Sequence, residues 1–223
     1  VRFRVVQDFR PLNTVTRESN FRLPLISECI DRIARKKPQC FSSIDLRSGF
    51  WQIPLKESDQ QKSAFWIPEV GQHCWTVAPM GLVSLPATFQ HIMHRIFHPQ
   101  IAKGDLEVYL DDILAFGSDN DSMLRILEET FQNLRKSGLL VNLKKCDLGV
   151  EKLVYLGFEI NKDGYSADPL KVAGILRMRK PNTLKGVRSF IGSLQFYRDS
   201  IPRFSLLTKP LTFLTSHKSM WSG

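Results

Sequence analysis

The chain of 223 residues is 43% hydrophobic and has a formal net charge of +9, from 31 lysines and arginines against 22 aspartates and glutamates. This apolar content suffices for a core shared by two or three subdomains, and the sequence shows neither a run of about 18 apolar residues nor a leading signal peptide, so we expect a soluble intracellular protein. The four cysteines have no C-x-x-C spacing, which argues against a zinc ribbon and against a disulfide framework.

The first half of the chain mixes strand and helix patterns. Apolar and charged residues alternate over residues 1–7, as in a strand, and residues 8–13 are predicted to turn away from it. The patterns that follow predict a helix over 24–37, strands over 41–45 and 51–55, a hairpin over 63–77 and a helix over 86–102. The strand over 41–45 ends at Asp45, so a carboxylate stands at the end of an otherwise largely apolar strand.

Two adjacent carboxylates interrupt an apolar stretch in the second half of the chain. Asp111 and Asp112 are flanked by short strand patterns, and Leu110-Asp111 is predicted to form the tight turn of a hairpin. The patterns after this hairpin predict a helix over 121–136, strands over 140–143, 153–156 and 158–161, and three helices from residue 169 onward, broken at Pro181 and Pro202. This order predicts an α+β body with a helical module appended to it.

The positive charge is concentrated in that helical module. Residues 1–165 contain 21 lysines and arginines against 20 acidic residues, whereas residues 166–223 contain 10 against 2. A basic module on a nearly neutral body is typical of an element that binds a polyanion such as nucleic acid. Lysines and arginines that only keep helix surfaces soluble would give a similar count, so this alternative stays open.

The paired carboxylates indicate a metal site. Two like charges side by side repel, and burial of their flanks adds a desolvation cost, so we expect a cation near Asp111 and Asp112. Carboxylates suit hard ions such as Mg²⁺. With Asp45, three carboxylates from two strand ends could hold two ions about 3.5–4 Å apart, which is the arrangement used in phosphoryl transfer. An aspartate pair without Asp45 would more often be a polar turn in a surface hairpin.

Four ordered segments together resemble one enzyme family. They are Ile44-Asp45-Leu46 through Phe50, Pro86-Ala87-Thr88-Phe89-Gln90, Tyr109-Leu110-Asp111-Asp112 and Leu156-Gly157-Phe158. In this order and over nearly the whole chain, they resemble the reverse transcriptases of Gypsy-type LTR retrotransposons. Because several segments agree, the resemblance is far more specific than any single motif.

The resemblance implies a right-hand polymerase fold of the α+β class, in which the palm sheet carries the Asp-Asp hairpin. Residues 1–163 would form the fingers and palm, with the fingers at 1–39 and about 55–84. Residues 164–223 would form a helical, basic thumb.

The resemblance also implies the catalytic residues. Asp45, Asp111 and Asp112 would be the catalytic metal ligands, holding Mg²⁺ or Mn²⁺, with the backbone carbonyl of Leu46 as an extra ligand in the substrate site. Lys145 would be the general acid that protonates the departing pyrophosphate. Two adjacent lysines at a strand end are more often plain surface charge, so that interpretation of Lys145 stays open.

Three further residues would contact the incoming nucleotide. Arg4 matches an arginine of the fingers that contacts the triphosphate, and Phe50 matches the aromatic gate that clashes with the 2′-OH of a ribonucleotide. Met80 begins a Met-Gly-Leu loop behind the nucleotide, where relatives usually have Phe-Gly-Leu. Core packing of Phe50 is the alternative interpretation.

Two segments would bind nucleic acid. Leu156, Gly157 and Phe158 resemble the primer grip, a hairpin that positions the 3′ end of the primer. Arg188, Gly192 and Phe196 lie at i, i+4 and i+8 of a predicted helix and resemble the family's minor-groove track. Helix packing would also explain the glycine, which is otherwise unfavourable in a helix.

The implied function is RNA-directed and DNA-directed DNA polymerisation from dNTPs onto a primer 3′-OH. The expected partners are an RNA or DNA template with its primer, dNTPs, and an RNase H domain or second subunit from the same polyprotein, with no membrane. The expected location is cytoplasmic, in a virus-like particle, or nuclear. One alternative is a truncated, non-catalytic remnant that binds nucleic acid, and another is a palm-fold nucleotidyl cyclase, which would lack the basic thumb and the primer grip.

Overall fold

The structure is a computed structural model that describes residues 6–17 and 19–216. The helices are, in chain order, α1 (Arg10–Val15), α2 (Ile26–Lys36), α3 (Glu57–Gln60), α4 (Leu85–Lys103), α5 (Asn120–Lys136), α6 (Pro169–Leu176), α7 (Leu184–Gln195) and α8 (Phe204–Leu214). The strands are β1 (Cys40–Asp45), β2 (Phe65–Ile67), β3 (Gly71–His73), β4 (Leu106–Tyr109), β5 (Asp112–Gly117), β6 (Asp147–Val150), β7 (Lys152–Tyr155), β8 (Phe158–Asn161) and β9 (Gly164–Ala167). In the part of the chain that the structure describes, no helix combines the length and the apolar character needed to span a bilayer.

The chain forms two compact units. The first comprises the described residues through Leu153 together with Asn161–Asp163, and the second comprises Val154–Ile160 with the described residues from Gly164 onward. The hairpin turn of Leu156 and Gly157 therefore belongs to the same unit as α6, α7 and α8. The division into fingers, palm and thumb at residue 163 stays a prediction.

The first unit is built on a four-stranded sheet in the order β4-β5-β1-β6. β1 lies in the interior of the sheet and pairs antiparallel with both β5 and β6, and β4 pairs antiparallel with β5. Helices α4 and α5 pack on this sheet and on each other. Because β1 is central, even its polar Ser42 is buried, and the Ser42 hydroxyl accepts the Gly149 amide at 2.9 Å.

The core of the first unit lies between the sheet and α4. Its fully buried members include Ile44 of β1, Phe89, Met93 and Phe97 of α4, and Leu106, Val108 and Ile113 of β4 and β5. Burial of large apolar side chains of this kind contributes roughly 1.5–3 kcal/mol each. The core therefore fixes the strand ends on which the predicted carboxylates stand.

The second unit contains helices α6, α7 and α8, strand β9, and the parts of β7 and β8 that lie within Val154–Ile160. Helix α7 packs against both α6 and α8. The Thr183 side chain caps α7 by accepting the Gly186 amide at 3.1 Å, which satisfies a backbone donor at the start of the helix. The three predicted helices after residue 169 are confirmed, with their breaks at Pro181 and Pro202.

Several predicted elements are wrong. The strand predicted over 51–55 is wrong, because residues 49–52 form a 3₁₀ turn. The strand predicted over 140–143 is also wrong, and a 3₁₀ turn follows at residues 143–145. Where a turn was predicted over 8–13, residues 10–15 form α1. The predicted strand over 1–7 lies mostly outside the described residues. Strands β6 and β9 were not predicted, because β6 carries only two apolar residues and gains its stability from pairing with β1.

Candidate active site

The strand register brings two of the predicted carboxylates together. Asp45 is the last residue of β1 and lies directly opposite Asp112, the first residue of β5. On the other side of β5, Asp112 pairs with Tyr109 at the end of β4. Leu110 and Asp111 form the two-residue turn between β4 and β5, so the predicted hairpin is confirmed. Asp45, Asp111 and Asp112 consequently stand at the same end of the sheet.

Gly49 allows the segment after β1 to pass close to Asp111. A Cβ atom at Gly49 would lie 3.0 Å from the Asp111 Cβ and 3.1 Å from the Asp111 Oδ2. Such distances are shorter than ordinary van der Waals contact, so a larger residue would displace the carboxylate. Ser48 just before it has a φ of 59°, in the left-handed region. The sequence showed Ser48-Gly49 only as a turn, and the long-range approach to Asp111 could not be inferred from it.

A lysine lies against the carboxylate cluster. The Lys145 Nζ donates to the Asp45 Oδ2 at 3.2 Å. Backbone pairing places this lysine, because the Asn142 amide donates to the Asp45 carbonyl at 2.9 Å and the 3₁₀ turn Leu143–Lys145 follows at once. Lys145 is thus beside a predicted catalytic aspartate, and its neighbour Lys144 is an exposed residue of the same turn.

The surroundings of Asp112 disfavour its charged form. Desolvation by the surrounding protein raises the pKa of Asp112 above its ordinary value, and the Asp111 and Asp45 carboxylates raise it further, while Lys145 lowers it. This occurs although Asp112 still exposes part of its surface to solvent. Added positive charge at this end of the sheet would relieve the repulsion.

The donor chemistry fits a hard divalent cation. Three aspartates supply the oxygen ligands that Mg²⁺ and Mn²⁺ prefer. Across residues 6–17 and 19–216, no group of three His, Cys, Asp or Glu side chains is already arranged to hold a metal ion. The Asp45 Oδ2 instead accepts a hydrogen bond from Lys145, so a bound cation would compete with the lysine for this oxygen.

Phe50 and Leu46 lie beside the cluster. Leu46 is buried, which leaves only its backbone for the predicted role as a ligand. Phe50 is half-buried in the 3₁₀ turn, and its ring packs edge-to-face on Phe89 of α4 with centroids 5.1 Å apart. This contact fixes the plane of the Phe50 ring. Both packing and a gating role are compatible with that position.

The loop that contains Met80 is held by a residue that the sequence did not reveal. The Asn13 side chain of α1 donates to the Gly81 carbonyl at 2.8 Å and accepts the Val83 amide at 2.9 Å. Met80, just before this bridge, is about half exposed. Arg4, the other residue predicted to contact nucleotide from the start of the chain, lies outside the described residues.

In the second unit, hydrogen bonds to the Gly157 carbonyl hold the turn of Leu156 and Gly157. Both residues have positive φ, 49° and 82°. The Gly157 carbonyl accepts the Asp168 amide and the Tyr197 hydroxyl, each at 3.1 Å. Burial raises the pKa of Tyr197, and the Asp168 charge raises it further, so the hydroxyl keeps its proton and remains a donor.

Aromatic packing completes this turn. A Cβ at Gly157 would lie 3.0 Å from the Phe196 ring, so only glycine fits there without displacement. Phe158 is buried against Phe196, with ring centroids 5.7 Å apart, and against Tyr197 and Tyr165. The Phe158 ring therefore supports the turn, and Phe196 keeps part of its surface exposed.

The predicted row on α7 is exposed. Arg188, Gly192 and Phe196 all present accessible surface. The Arg188 guanidinium donates to the Thr215 carbonyl after α8 at 3.3 Å. A Cβ at Gly192 would meet no described atom within 4 Å, so packing between described helices does not account for this glycine. The structure thus brings Gly157, Phe158 and Phe196 together in the second unit, and the three aspartates with Lys145 in the first.

Comparison with known proteins places this geometry in a family. A sequence model described as "Reverse transcriptase (RNA-dependent DNA polymerase)" matches residues 2–160. The retrovirus-related Pol polyprotein from transposon opus of Drosophila melanogaster is 37% identical over 96% of this chain and 21% of the polyprotein. The transposon Tf2-3 polyprotein of Schizosaccharomyces pombe is 28% identical over 98% of this chain and 16% of the polyprotein. The chain thus spans about a fifth or less of these curated relatives.

Solved structures agree with the sequence relatives. A foamy viral protease-reverse transcriptase in complex with double-stranded DNA superimposes with a TM-score of 0.87 and 30% identity, over 95% of this chain and 36% of that one. The foamy viral enzyme in complex with an RNA/DNA hybrid gives a TM-score of 0.86 and 30% identity, over 96% and 28%. The predicted α+β polymerase fold is confirmed by these likenesses.

The ion pair of Lys145 and Asp45 makes a testable prediction about cation binding. Lys145→Ala is expected to strengthen Mn²⁺ binding about two- to fivefold, the equivalent of roughly 0.4–1 kcal/mol for an exposed ion pair, because a competing cation is removed. Titration of Mn²⁺, with the free ion followed by electron paramagnetic resonance, measures the change. Lys144→Ala is the matched control and should leave the affinity unchanged. Equal affinities in the parent and the Lys145 variant would contradict the competition.

Proposed function

Since the chain belongs to the reverse transcriptase family, we propose that it catalyses template-directed DNA synthesis on RNA and on DNA. In this reaction the primer 3′-OH attacks the α-phosphate of a dNTP and pyrophosphate leaves. The observation that carries the proposal is the register of β1 and β5, which sets Asp45 opposite Asp112 with Asp111 in the adjoining turn. Three acidic side chains on two strand ends are the arrangement that two-metal phosphoryl transfer needs.

Asp45 and Asp111 are proposed to hold Mg²⁺ or Mn²⁺, with Asp112 and the Leu46 carbonyl as additional ligands. When bound, the ions would lower the pKa of the attacking hydroxyl and neutralise charge on the phosphates. The part of this chain's own residues is to fix the geometry, because Gly49 lets the β1 segment pass within contact distance of Asp111. Lys145 would leave Asp45 on metal binding, and its ammonium could then protonate the departing pyrophosphate.

The remaining roles concern the nucleotide and the duplex. Phe50 would exclude ribonucleotides, Arg4 would bind the triphosphate, and the Met80 loop would support the nucleotide. In the second unit, the Leu156-Gly157-Phe158 turn would position the primer end, and the row Arg188, Gly192 and Phe196 would follow the duplex. The 10 basic against 2 acidic residues after residue 165 support an electrostatic contribution of this region to binding.

The proposal extends to the setting of the enzyme. Residues 1–163 would serve as fingers and palm, and residues 164–223 as thumb. Because the matched relatives are polyproteins, an RNase H domain or second subunit from the same polyprotein is a proposed partner. The proposed location is a cytoplasmic virus-like particle or the nucleus.

Primer extension by the chain and its Asp111→Asn variant tests the function. The parent should extend a DNA primer on RNA and DNA templates with Mg²⁺ or Mn²⁺, and the variant should lose at least about 100-fold in rate, roughly 2.7 kcal/mol, because one charged metal ligand is gone. Affinity for template-primer should stay within about twofold. Asp121→Asn, in the first turn of α5 beyond the opposite end of β5, is the control and should polymerise normally.

Two results would contradict the assignment. A variant with a tenth or more of the parent rate would remove Asp111 from the metal site. A parent chain that binds template-primer but extends it with neither ion would favour the non-catalytic remnant.

The position of Phe50 against Phe89 leads to a prediction about sugar selectivity. Phe50→Val should lower the preference for dNTP over rNTP at least about tenfold, or roughly 1.4 kcal/mol, because the ring that would meet the 2′-OH is removed. Single-nucleotide incorporation with each sugar measures the ratio. Phe50→Tyr keeps the ring and should retain the preference. An unchanged ratio in the valine variant would assign Phe50 to core packing alone.

The open space around Gly192 leads to a prediction about duplex binding. Gly192→Ala should raise the free energy of unfolding by up to about 1 kcal/mol, since alanine is the better helix former, and yet weaken template-primer binding at least about fivefold. Gly174→Ala in α6 is the matched control, because its Cβ also meets no described atom within 4 Å. It should stabilise similarly without loss of affinity. If both variants bind duplex like the parent, Gly192 lies outside the duplex contact.

A further inference from the structure

A buried glutamine of α4 hydrogen-bonds through both its amide nitrogen and its amide oxygen to the hairpin that carries the aspartates. Gln90 is 2% exposed. Its Nε2 donates to the Val108 carbonyl of β4 at 2.8 Å, and its Oε1 accepts the Leu110 amide at 2.6 Å. A buried amide is costly unless it is hydrogen-bonded, and both bonds of this one fall on residues two apart at the tip of the hairpin.

Leu110, whose amide donates to Gln90 and which directly precedes Asp111, has a strained backbone conformation. Leu110 has a φ of 55°, in the left-handed region that leucine rarely adopts. Such a conformation persists only where the surroundings hold it. Because Leu110 directly precedes Asp111, its dihedral angles set the direction in which the Asp111 side chain leaves the backbone.

We propose that Gln90 is a positioning residue that holds Leu110 in the left-handed conformation and thereby directs Asp111 toward Asp45. This inference rests on the proposed function only for the role of the aspartates. Gly49 bounds Asp111 from the side of β1, as its 3.0 Å approach indicates, and Gln90 bounds the turn from the side of α4. The carboxylate is thus set by one close contact and one bridging amide.

A second buried glutamine on the same helix shows what a general packing role looks like. Gln100 is also fully buried, and its Nε2 donates to the Ile126 carbonyl at 3.2 Å and to the Thr130 hydroxyl at 2.9 Å. Asn133 donates to the Gln100 Oε1 at 3.1 Å. These hydrogen bonds join α4 to α5, and none of them reaches the hairpin. It provides a matched control.

The first measurement needs no variant. Amide hydrogen exchange in the unmodified chain should show the Leu110 amide protected to a degree similar to the paired amides of β4, although it lies in a turn. Exchange at the rate of an exposed turn amide would overturn the proposal, whether or not the chain polymerises.

The second measurement compares Gln90→Met with Gln100→Met, since methionine keeps the length and loses the hydrogen bonds. The Gln90 variant should exchange the Leu110 amide at least tenfold faster, bind Mn²⁺ at least threefold more weakly and lose at least tenfold in kcat, with little change in KM for template-primer. The Gln100 variant should lose thermal stability and keep all four values. Equal effects of the two variants, or unchanged exchange and Mn²⁺ binding in the Gln90 variant, would overturn the positioning role.

A second substitution, at Leu110, distinguishes an effect of Gln90 on the turn from an effect on core packing. Glycine adopts positive φ without strain, so Leu110→Gly in the Gln90→Met background should restore Mn²⁺ affinity to within about twofold of the parent. A double variant that binds Mn²⁺ no better than Gln90→Met would show that Gln90 acts other than through the conformation of Leu110. Mn²⁺ binding and amide exchange report on the turn even if primer extension fails, so the two proposals can fail separately.

Discussion

The repulsion among three carboxylates at one end of a sheet is the constraint on which the first unit depends. Asp45 and Asp112 face each other across β1 and β5, and Asp111 is adjacent in the turn. Bringing them together costs free energy, because partial desolvation of Asp112 and the charges of Asp111 and Asp45 raise the pKa of Asp112. The fold meets this cost with the apolar core beneath the strands, which fixes the register, and with Lys145 on Asp45. Added positive charge at this end of the sheet would relieve the repulsion, which supports the proposed metal site.

The second unit follows a similar logic with different chemistry. In its turn, Leu156 has a positive φ that is unfavourable for leucine, and two hydrogen bonds to the Gly157 carbonyl together with the Phe196 ring hold the turn. Each unit therefore keeps a strained turn in place with a side-chain hydrogen bond, from the amide of Gln90 in α4 in the first unit and from the phenol of Tyr197, just after α7, in the second. Strained turns that are held so specifically are common where backbone or side chains must be presented to a ligand.

Patterns of the sequence predicted most helices and the Asp-Asp hairpin, because the periodicity of apolar residues reports burial directly. The strand expected at 51–55 was wrong because Trp51, Ile53 and Leu55 alternate as in a strand, although the chain enters this segment from a left-handed Ser48. On α5 the apolar Leu124 is exposed, whereas Met123 one position earlier is buried. The sequence thus predicted that this helix exists, but packing against β1 and β5 determines which face of it is buried.

The contacts that shape the candidate site were the hardest to predict from the sequence. Gln90 and Asn13 are ordinary polar residues in sequence, and their partners are 18 to 70 residues away along the chain. Gly49 resembled any turn glycine, and only the register of β1 with β5 reveals its contact with Asp111. Long-range hydrogen bonds and close approaches leave no local pattern, so they can be found only in the folded chain. The assignment of the three aspartates rested on their chemistry and on resemblance, and the fold adds their proximity.

A crystal structure of the chain with template-primer, an unreactive dNTP analogue and Mn²⁺ would test the proposed metal site directly. Anomalous scattering would locate each ion. We expect Mn²⁺ within coordination distance of both Asp45 and Asp111, with the Lys145 ammonium no longer bonded to Asp45. Mn²⁺ bound away from these carboxylates, with Lys145 still paired to Asp45, would contradict the proposed site.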